Sequence, residues 1–275
     1  MPTLTTSDLL TMRNIQAMVF APPGRSKTFS SLTMSAKCPA DFSHIVAKAP
    51  IKRSPPVKLD DLLWLGFDKG ATDGFSQQGI IVPQINLADV EASKFPGELR
   101  DALSIVEAEV KAGRTTTVVV DTVSALDEVL EQYNRSIRGL EKFDLYGAMR
   151  LDHMNFARKL KGLSCSVLYL CHAKAVVELE GNSAAIQNMN KTREAAGLTG
   201  IIPAITGSSL NHYRRDASFI FPVVRKKLPG ETHGFFFQTN SYDFESKSRI
   251  QLSNASLPAD WRVIKAELAA SKEVT

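Results

Sequence analysis

The sequence predicts an α/β protein with a mostly parallel, twisted sheet that is flanked by helices and extended by antiparallel strands toward the C-terminus. Short apolar runs alternate with stretches of helical periodicity along the first part of the 275-residue chain. A phosphate-loop-like segment follows the first of these runs, which is the order of a β–loop–α unit. Two late apolar segments predict a hairpin. We expect one domain over residues 1–275, with a core at about 14–260.

The first elements are short strands with one helix between them. An apolar run leads into the loop 21–28, and a helix-compatible stretch follows it. Residues 39–60 contain four prolines and scattered basic residues, and they predict an irregular surface connection. In this part of the chain, strands are expected at 15–20, 62–67 and 79–85, and a helix at 29–37.

The middle of the chain has the clearest periodicity. Leu99, Leu103 and Val106 recur at helical spacing, and Gly113 is placed to end that helix. A β-branched run predicts a buried strand that stops at Asp121. The predicted elements are helices at 96–111, 123–135 and 145–161 and strands at 115–120 and 164–171, the last ending at His172.

Beyond His172 the periodicity is lost. Residues 173–204 contain several glycines and asparagines and predict a long mobile loop, which inside a domain is usually functional. Strands at 217–224 and 234–239 would form the hairpin, and a C-terminal helix is expected at about 258–272.

The composition excludes several classes of protein. Hydrophobic residues make up 44% and charged residues 23% of the chain, which is close to globular averages and unlike a disordered or fibrous protein. No apolar run approaches the roughly 18 residues of a membrane span, and no basic start precedes an apolar stretch, so we expect a cytoplasmic protein without membrane contact. The three cysteines show no CxxC spacing, which argues against a zinc ribbon. The net charge of +4 allows a polyanion partner but does not require one.

The segment APPGRSKT at 21–28 carries the strongest chemical signal. The phosphate-loop pattern is Gly, four residues, Gly-Lys and then Ser or Thr, and here Gly24, Lys27 and Thr28 fit the pattern. Lys27 would neutralise phosphate charge, and the Thr28 hydroxyl would reach Mg²⁺. The alternative is a chance Pro-Gly turn between a strand and a helix. The nucleotide-binding residues predicted are Ala21, Pro22, Pro23, Gly24, Arg25, Ser26, Lys27 and Thr28, with Ala21 and Ser26 standing where the pattern has glycine.

A second element is the acidic end of the β-branched strand. Asp121 follows the run TTVVV and would lie at the carboxyl edge of the sheet. A carboxylate there can hold Mg²⁺ through one of its waters, so Thr28 and Asp121 are the predicted metal-binding residues. The alternative is that Asp121 caps the helix that follows it.

Together these motifs resemble the RecA-like branch of P-loop ATPases, in particular the small phage-encoded RecA-core recombination ATPases. The resemblance covers about residues 14–260, but only short motifs support it. It implies a RecA-like P-loop NTPase core, ATP and Mg²⁺ as cofactors, ATP hydrolysis, and a homo-oligomer that forms a ring or filament. The motifs are the loop 21–28, Asp68, VVVDTVSAL at 118–126, LYLCHAK at 168–174, the stretch 203–221 and Lys247-Ser-Arg249.

The resemblance also implies roles for single residues. Asp68 stands where the family carries the carboxylate that orients the attacking water, although the usual residue is Glu. His172 stands where the family places a polar sensor of the γ-phosphate. Lys247 and Arg249 resemble fingers that reach into a neighbouring subunit's nucleotide site. The alternatives are a solvated acid at a strand end, a polar residue closing a strand and a solvated basic pair.

Single-stranded DNA is the partner that the resemblance implies, held by two loops. In the first loop, Tyr133 and Phe143 are the rings available for stacking, and the second loop has none. The alternative to DNA binding is that the second loop is solvated and flexible. A phage single-strand-binding or annealing protein is a further expected partner, and a phage-encoded protein would work in the host cytoplasm. The predicted DNA-binding residues are Arg135, Arg138 and Lys142 in the first loop and Lys174, Lys191 and Arg193 in the second.

Three functions compete at this point. The first is an ATPase that binds single-stranded DNA in phage recombination or replication. The second is a structural oligomer that binds nucleotide with little or no hydrolysis, because the phosphate loop is altered. The third is a small-molecule phosphotransferase. The sequence shows no compact arginine-rich lid, which argues against this function, although Arg214 and Arg215 form a basic pair that is a candidate for such a lid.

Overall fold

The computed structural model describes residues 14–22, 24, 26–42, 54–70, 72–175, 201–205, 207–228, 233–239, 246–248 and 252–270. In these ranges the strands are β1 (Gln16–Ala21), β2 (Val57–Lys58), β3 (Leu62–Gly66), β4 (Ile80–Ile81), β5 (Gln84–Asn86), β6 (Thr117–Asp121), β7 (Ser166–Ala175), β8 (Ile201–Pro203), β9 (Phe219–Lys227), β10 (His233–Gln238), β11 (Lys247–Ser248) and β12 (Ser256–Pro258). The helices are α1 (Lys27–Leu32), α2 (Asp73–Gln77), α3 (Phe95–Lys111), α4 (Val123–Ser136), α5 (Lys142–Lys161), α6 (Leu210–Asp216) and α7 (Trp261–Ala270).

The fold is a mixed α/β sheet protein with a mostly parallel sheet, which confirms the predicted fold class. The strand order is β12-β10-β9-β1-β7-β6-β3-β5. The strands from β9 to β5 along this order are parallel to their neighbours, whereas β10 and β12 extend the sheet in antiparallel pairing. The carboxyl ends of β1, β7, β6 and β3 therefore lie at one edge of the sheet.

The two faces of the sheet bury two hydrophobic clusters. Along β1, Met18 and Phe20 belong to one cluster, and Ala17 and Val19 belong to the other. This alternation follows from the two-residue period of a strand. Helices cover both faces, because α3, α4 and α5 contribute to the first cluster and α1 and α7 to the second. Burial on both faces explains why the central strands are almost continuous apolar runs.

Helix α1 is shorter than the predicted helix at 29–37. It ends at Leu32, and the following residues form turns. The hydroxyl of Ser30 donates to the carbonyl of Lys27 at 2.7 Å, and the hydroxyl of Thr33 donates to the carbonyl of Ser30 at 2.6 Å. Such local side-chain bonds compete with helix continuation. The other predicted helices before residue 170 are present, and the one expected at 145–161 begins earlier, at Lys142.

Strand β7 does not end at His172 as predicted. It continues to Ala175, because residues 173–175 pair in antiparallel fashion with β8. The predicted mobile loop is therefore paired at both of its ends, and its residues 176–200 lie outside the described residues. The segment expected as one strand at 79–85 forms two short strands, β4 and β5, which pair with β2 and β3. The C-terminal helix begins at Trp261, since residues 256–258 form a strand on β10.

Candidate functional site

The predicted phosphate loop joins β1 to α1 at the carboxyl edge of the sheet. Gly24 has a φ of +72°, in the left-handed region that favours glycine. Ser26 precedes α1 with φ 62° and ψ 14°, so it holds a left-handed conformation although it carries a Cβ. This left-handed backbone explains why the phosphate-loop pattern has glycine at this position, since glycine adopts it without steric cost. Pro23 and Arg25 lie outside the described residues.

Lys27 begins α1 and points to the ends of the neighbouring strands. Its side chain is buried, and its Nζ lies 3.4 Å from Nδ1 of His172 on β7. The Nε2 of His172 lies 2.9 Å from Oδ2 of Asp68, two residues after β3. An ammonium group can only donate, so Nδ1 accepts and Nε2–H donates to the carboxylate. Lys27, His172 and Asp68 thus form one hydrogen-bonded chain across three elements.

Thr28 and Asp121 also come together near Lys27. The Thr28 hydroxyl donates to Oδ2 of Asp121 at 3.3 Å. Burial raises the pKa of Asp121 to about 7, and the charge of Lys27 opposes this shift. Burial lowers the pKa of Lys27, and Asp121 and Asp68 oppose that shift. Lys27 thus lies near two acidic residues, Asp121 and Asp68, and a cation bound beside Asp121 would favour its ionised form.

These oxygen donors fit a magnesium ion. Mg²⁺ is usually held by one or two carboxylates together with substrate phosphates and water, and it needs no dedicated protein cage. The Thr28 hydroxyl and the Asp121 carboxylate supply such donors 3.3 Å apart. The described ranges contain no group of three His, Cys, Asp or Glu side chains that could hold a metal by itself.

The alternative role for Asp121, as a helix cap, does not match the geometry. The residue that caps α4 is Thr122, whose side chain accepts the N–H of Ala125 at 3.1 Å. Asp121 instead ends β6, fully buried, and its carboxylate faces Thr28. A capping role therefore does not explain an acidic residue at this position.

Ser124 is a site residue that the sequence analysis missed. Its hydroxyl accepts the backbone N–H of His172 at 2.9 Å. Strand β6 ends opposite Leu170, so the ladder that holds β7 on this side has stopped before His172. Ser124, in the first turn of α4, supplies the acceptor that β6 no longer provides, and so holds the backbone of His172 in place. A serine two residues after a strand end carries no signal that would distinguish it in the sequence.

A second buried polar cluster lies beneath α5. The ring of His153 is fully buried, with Nδ1 2.7 Å from the hydroxyl of Tyr213 and Nε2 2.8 Å from Oδ1 of Asp127. The three residues come from α5, α6 and α4. This cluster joins the helix that follows Asp121 to the helix that precedes β9. None of the three was predicted as a functional residue.

The predicted finger residues are separate from the Lys27 cluster, by which we mean Lys27, Thr28, Asp68, Asp121 and His172. Lys247 is in β11, which pairs with β9, and its Nζ donates to the backbone carbonyl of Arg214 at 2.9 Å. Arg249 lies outside the described residues. A role in a neighbouring subunit stays a prediction.

The first group of predicted DNA-binding residues lies where α4 turns into α5. Arg135 pairs with Glu131 at 2.8 Å, and Arg138 donates to Oδ1 of Asn134 at 2.7 Å. Lys142 begins α5 with a positive φ of 50°.

Two rings lie beside these basic residues. Phe143 is 91% exposed and Tyr146 is 51% exposed. Together with Arg135, Glu141 and Lys142, they line a depression of about 550 Å³. Tyr146 was not among the residues predicted to contact DNA, although it lies one helical turn from Phe143. Tyr133 lines a different cavity.

The second group cannot be placed in the same way. Lys174 lies in β7, but its side chain is outside the described residues, as are Lys191 and Arg193 altogether. Within the described ranges, no helix combines the length and the apolar composition that crossing a bilayer requires.

Comparisons with known proteins add little to this geometry. No protein-family model matches the chain, and no characterised protein matches its sequence. A solved structure described as a prototypical ATPase from the type III secretion system of pathogenic bacteria is similar with a TM-score of 0.44 and 12% identity. The similarity covers 87% of this chain, which spans 60% of the length of the other. A similarity this low supports no conclusion about activity.

Proposed function

We propose that this chain binds ATP together with Mg²⁺ at the loop between β1 and α1. The observation that carries the proposal is the meeting of Lys27, Thr28 and Asp121 at the carboxyl edge of a parallel sheet. Ligands of open α/β sheets bind outside the carboxyl ends of the strands. A buried ammonium at the start of a helix, next to two oxygen donors that suit Mg²⁺, is the arrangement that a triphosphate requires.

The roles of the site residues follow from their chemistry. Lys27 would neutralise charge on the terminal phosphates, and Thr28 and Asp121 would hold the metal, which supplies further charge neutralisation. Asp68 would accept a hydrogen bond from the water that attacks the terminal phosphate. His172, bonded to Asp68 through Nε2, would orient that carboxylate, and its Nδ1 would accept from the Lys27 ammonium and hold it beside the phosphate. The reaction proposed is ATP hydrolysis.

We extend the proposal to an oligomer that holds single-stranded DNA. Arg135 and Lys142 lie at the surface beside Phe143 and Tyr146, and cations next to exposed rings are suited to phosphates and stacked bases. Lys247 and Arg249 would complete the nucleotide site of a neighbouring subunit.

Two observations favour a second candidate, which is nucleotide binding with little hydrolysis. Asp68 already accepts a hydrogen bond from His172, so its carboxylate is partly engaged. Ser26 holds a conformation that suits glycine better. In this case bound nucleotide would stabilise the contacts between the subunits of an oligomer. Ser26→Gly should then raise turnover, and an unchanged rate would argue against an impaired loop.

Calorimetric titration with ATP and Mg²⁺ tests the proposal. We expect binding by the unaltered chain and a loss of at least tenfold in affinity for Lys27→Ala. The matched control is Lys37→Ala, which removes an exposed lysine that pairs with Asp60 outside the site. Absence of binding by the unaltered chain, or equal binding by both variants, would refute the nucleotide site.

Phosphate release then separates the two candidates. An ATPase that uses DNA should turn over faster with single-stranded DNA and lose turnover in Asp68→Asn. Binding without release would support the second candidate. The DNA surface is tested by anisotropy with labelled oligo-dT, in which Phe143→Ala should weaken binding and Leu151→Ala, another exposed apolar residue of α5, should not. Equal affinities of the two variants would remove the DNA surface from the proposal.

A further inference from the structure

A groove of about 390 Å³ lies among α3, α4 and α5, and it shares no residue with the Lys27 cluster. Its volume falls in the lower part of the range of ligand pockets, roughly 300–1,000 Å³. All three helices contribute to its lining, with Phe95 and Leu99 from α3, Leu130 from α4 and Phe156 from α5.

The floor of the groove is apolar. Phe95, Leu130 and Phe156 are buried members of the core cluster on this face of the sheet. Leu99 and Leu103 pack against that cluster but are only partly buried. Apolar side chains from three helices thus leave an opening that one or two bulky apolar groups could fill.

The rim of the groove is basic. Arg100, Arg138 and Lys159 are exposed on it, against one carboxylate, Asp152. Oδ2 of Asp152 already accepts a hydrogen bond from the side chain of Asn134 at 3.0 Å. Neither Arg100 nor Lys159 forms an ion pair within the part of the chain that the structure describes. Hydrogen bonding to Lys111 and, to a smaller extent, the charge of Lys159 lower the pKa of Glu107, but that carboxylate is paired with Lys111 at 2.6 Å. The rim therefore keeps an excess of positive charge for a ligand.

We propose that this groove is a docking site for an acidic peptide segment of a partner protein, anchored by one or two bulky apolar side chains. The anchor would fill the space over Leu99 and Leu103, and carboxylates beside it would pair with Arg100 and Lys159. Charge complementarity of this kind sets the partner and its orientation, while the buried anchor supplies most of the affinity. The groove shares no residue with the proposed nucleotide site, so peptide binding there would not require nucleotide.

The test uses the full chain without nucleotide and a fluorescein-labelled peptide of sequence Asp-Glu-Asp-Glu-Leu-Phe. Fluorescence anisotropy should detect binding, and a peptide with Lys in place of the four acidic residues should bind at least tenfold more weakly. Arg100→Glu and Leu99→Asp should each reduce affinity at least tenfold. The matched control is Arg225→Glu, which reverses an exposed charge on β9, a strand that contributes no residue to the groove. Circular dichroism establishes that each variant is folded.

The outcomes decide between occupants. Loss of peptide binding in the folded Arg100→Glu variant, with Arg225→Glu unchanged, supports the proposal. Should Leu99→Asp fail to fold, Arg100→Glu alone still decides. Absence of binding by the unaltered chain, or binding that Arg100→Glu leaves unchanged, would overturn it. Light scattering covers the remaining case, because a change of oligomeric state in Arg100→Glu would mean that a second copy of the chain fills the groove, and the proposal would be wrong.

Discussion

Replacing Ser26 tests whether the phosphate-loop segment is strained. Its φ of 62° and ψ of 14° cost an L-residue roughly 1–2 kcal/mol. Glycine avoids this cost but loses more backbone entropy on folding, roughly 0.5–1 kcal/mol. The difference predicts that Ser26→Gly stabilises the fold by about 0.5–1 kcal/mol. The carbonyl of residue 26 accepts the N–H of Ser30 at 2.9 Å, and this bond is available to either residue.

Urea unfolding is a suitable assay. Trp64 and Trp261 are both fully buried, so tryptophan fluorescence reports the loss of the native core. Ser26→Ala is the matched control, because it removes the hydroxyl but keeps the Cβ and hence the unfavourable conformation. We expect a higher midpoint for Ser26→Gly and no gain for Ser26→Ala. If Ser26→Gly were no more stable than Ser26→Ala, the idea of strain at this residue would be refuted.

Three further predictions concern buried polar groups. Burial raises the pKa of Asp121 from 3.8 to about 7, so the native state should lose stability as pH rises from about 4 to 7. Asparagine does not ionise, so Asp121→Asn should lose less stability over this range, by up to about 4 kcal/mol of unfolding free energy measured in urea at a series of pH values. Parallel pH profiles of the variant and the unaltered chain would contradict this. Thr122→Ala should cost about 1 kcal/mol of unfolding free energy through the lost bond to Ala125, whereas Thr122→Ser should cost little, and equal costs would argue against the cap. Tyr213→Phe leaves a buried nitrogen of His153 without its partner and should cost about 1–3 kcal/mol in the same assay, so an unchanged midpoint would count against that contact.

The sheet and its strand ends could be predicted because their signals are local. A β-branched run that stops at Asp121 and a run that stops at the loop before Lys27 each identify a strand and a polar end. In parallel strands these ends meet at the same edge, so the neighbourhood of Lys27, Thr28 and Asp121 follows from the fold class.

The remaining features depend on contacts between distant parts of the chain. Asp68 and His172 are 104 positions apart, and no sequence pattern states that they bond. The seven residues of α6 and the two or three residues of β11 and β12 are too short to show periodicity. The extension of β7 beyond His172 is fixed by its pairing with β8, which lies more than twenty residues later in the chain.

The contact between Lys27 and His172 has a consequence for any anion that approaches the loop. The ammonium is already turned inward and shielded from bulk solvent, with an imidazole at 3.4 Å. An anion bound to this ammonium would compete with the ring nitrogen for it. His172 is also held by Asp68 through Nε2 and by Ser124 through its backbone N–H. A change at the Lys27 contact would therefore act on a residue of β7, which continues three residues beyond His172.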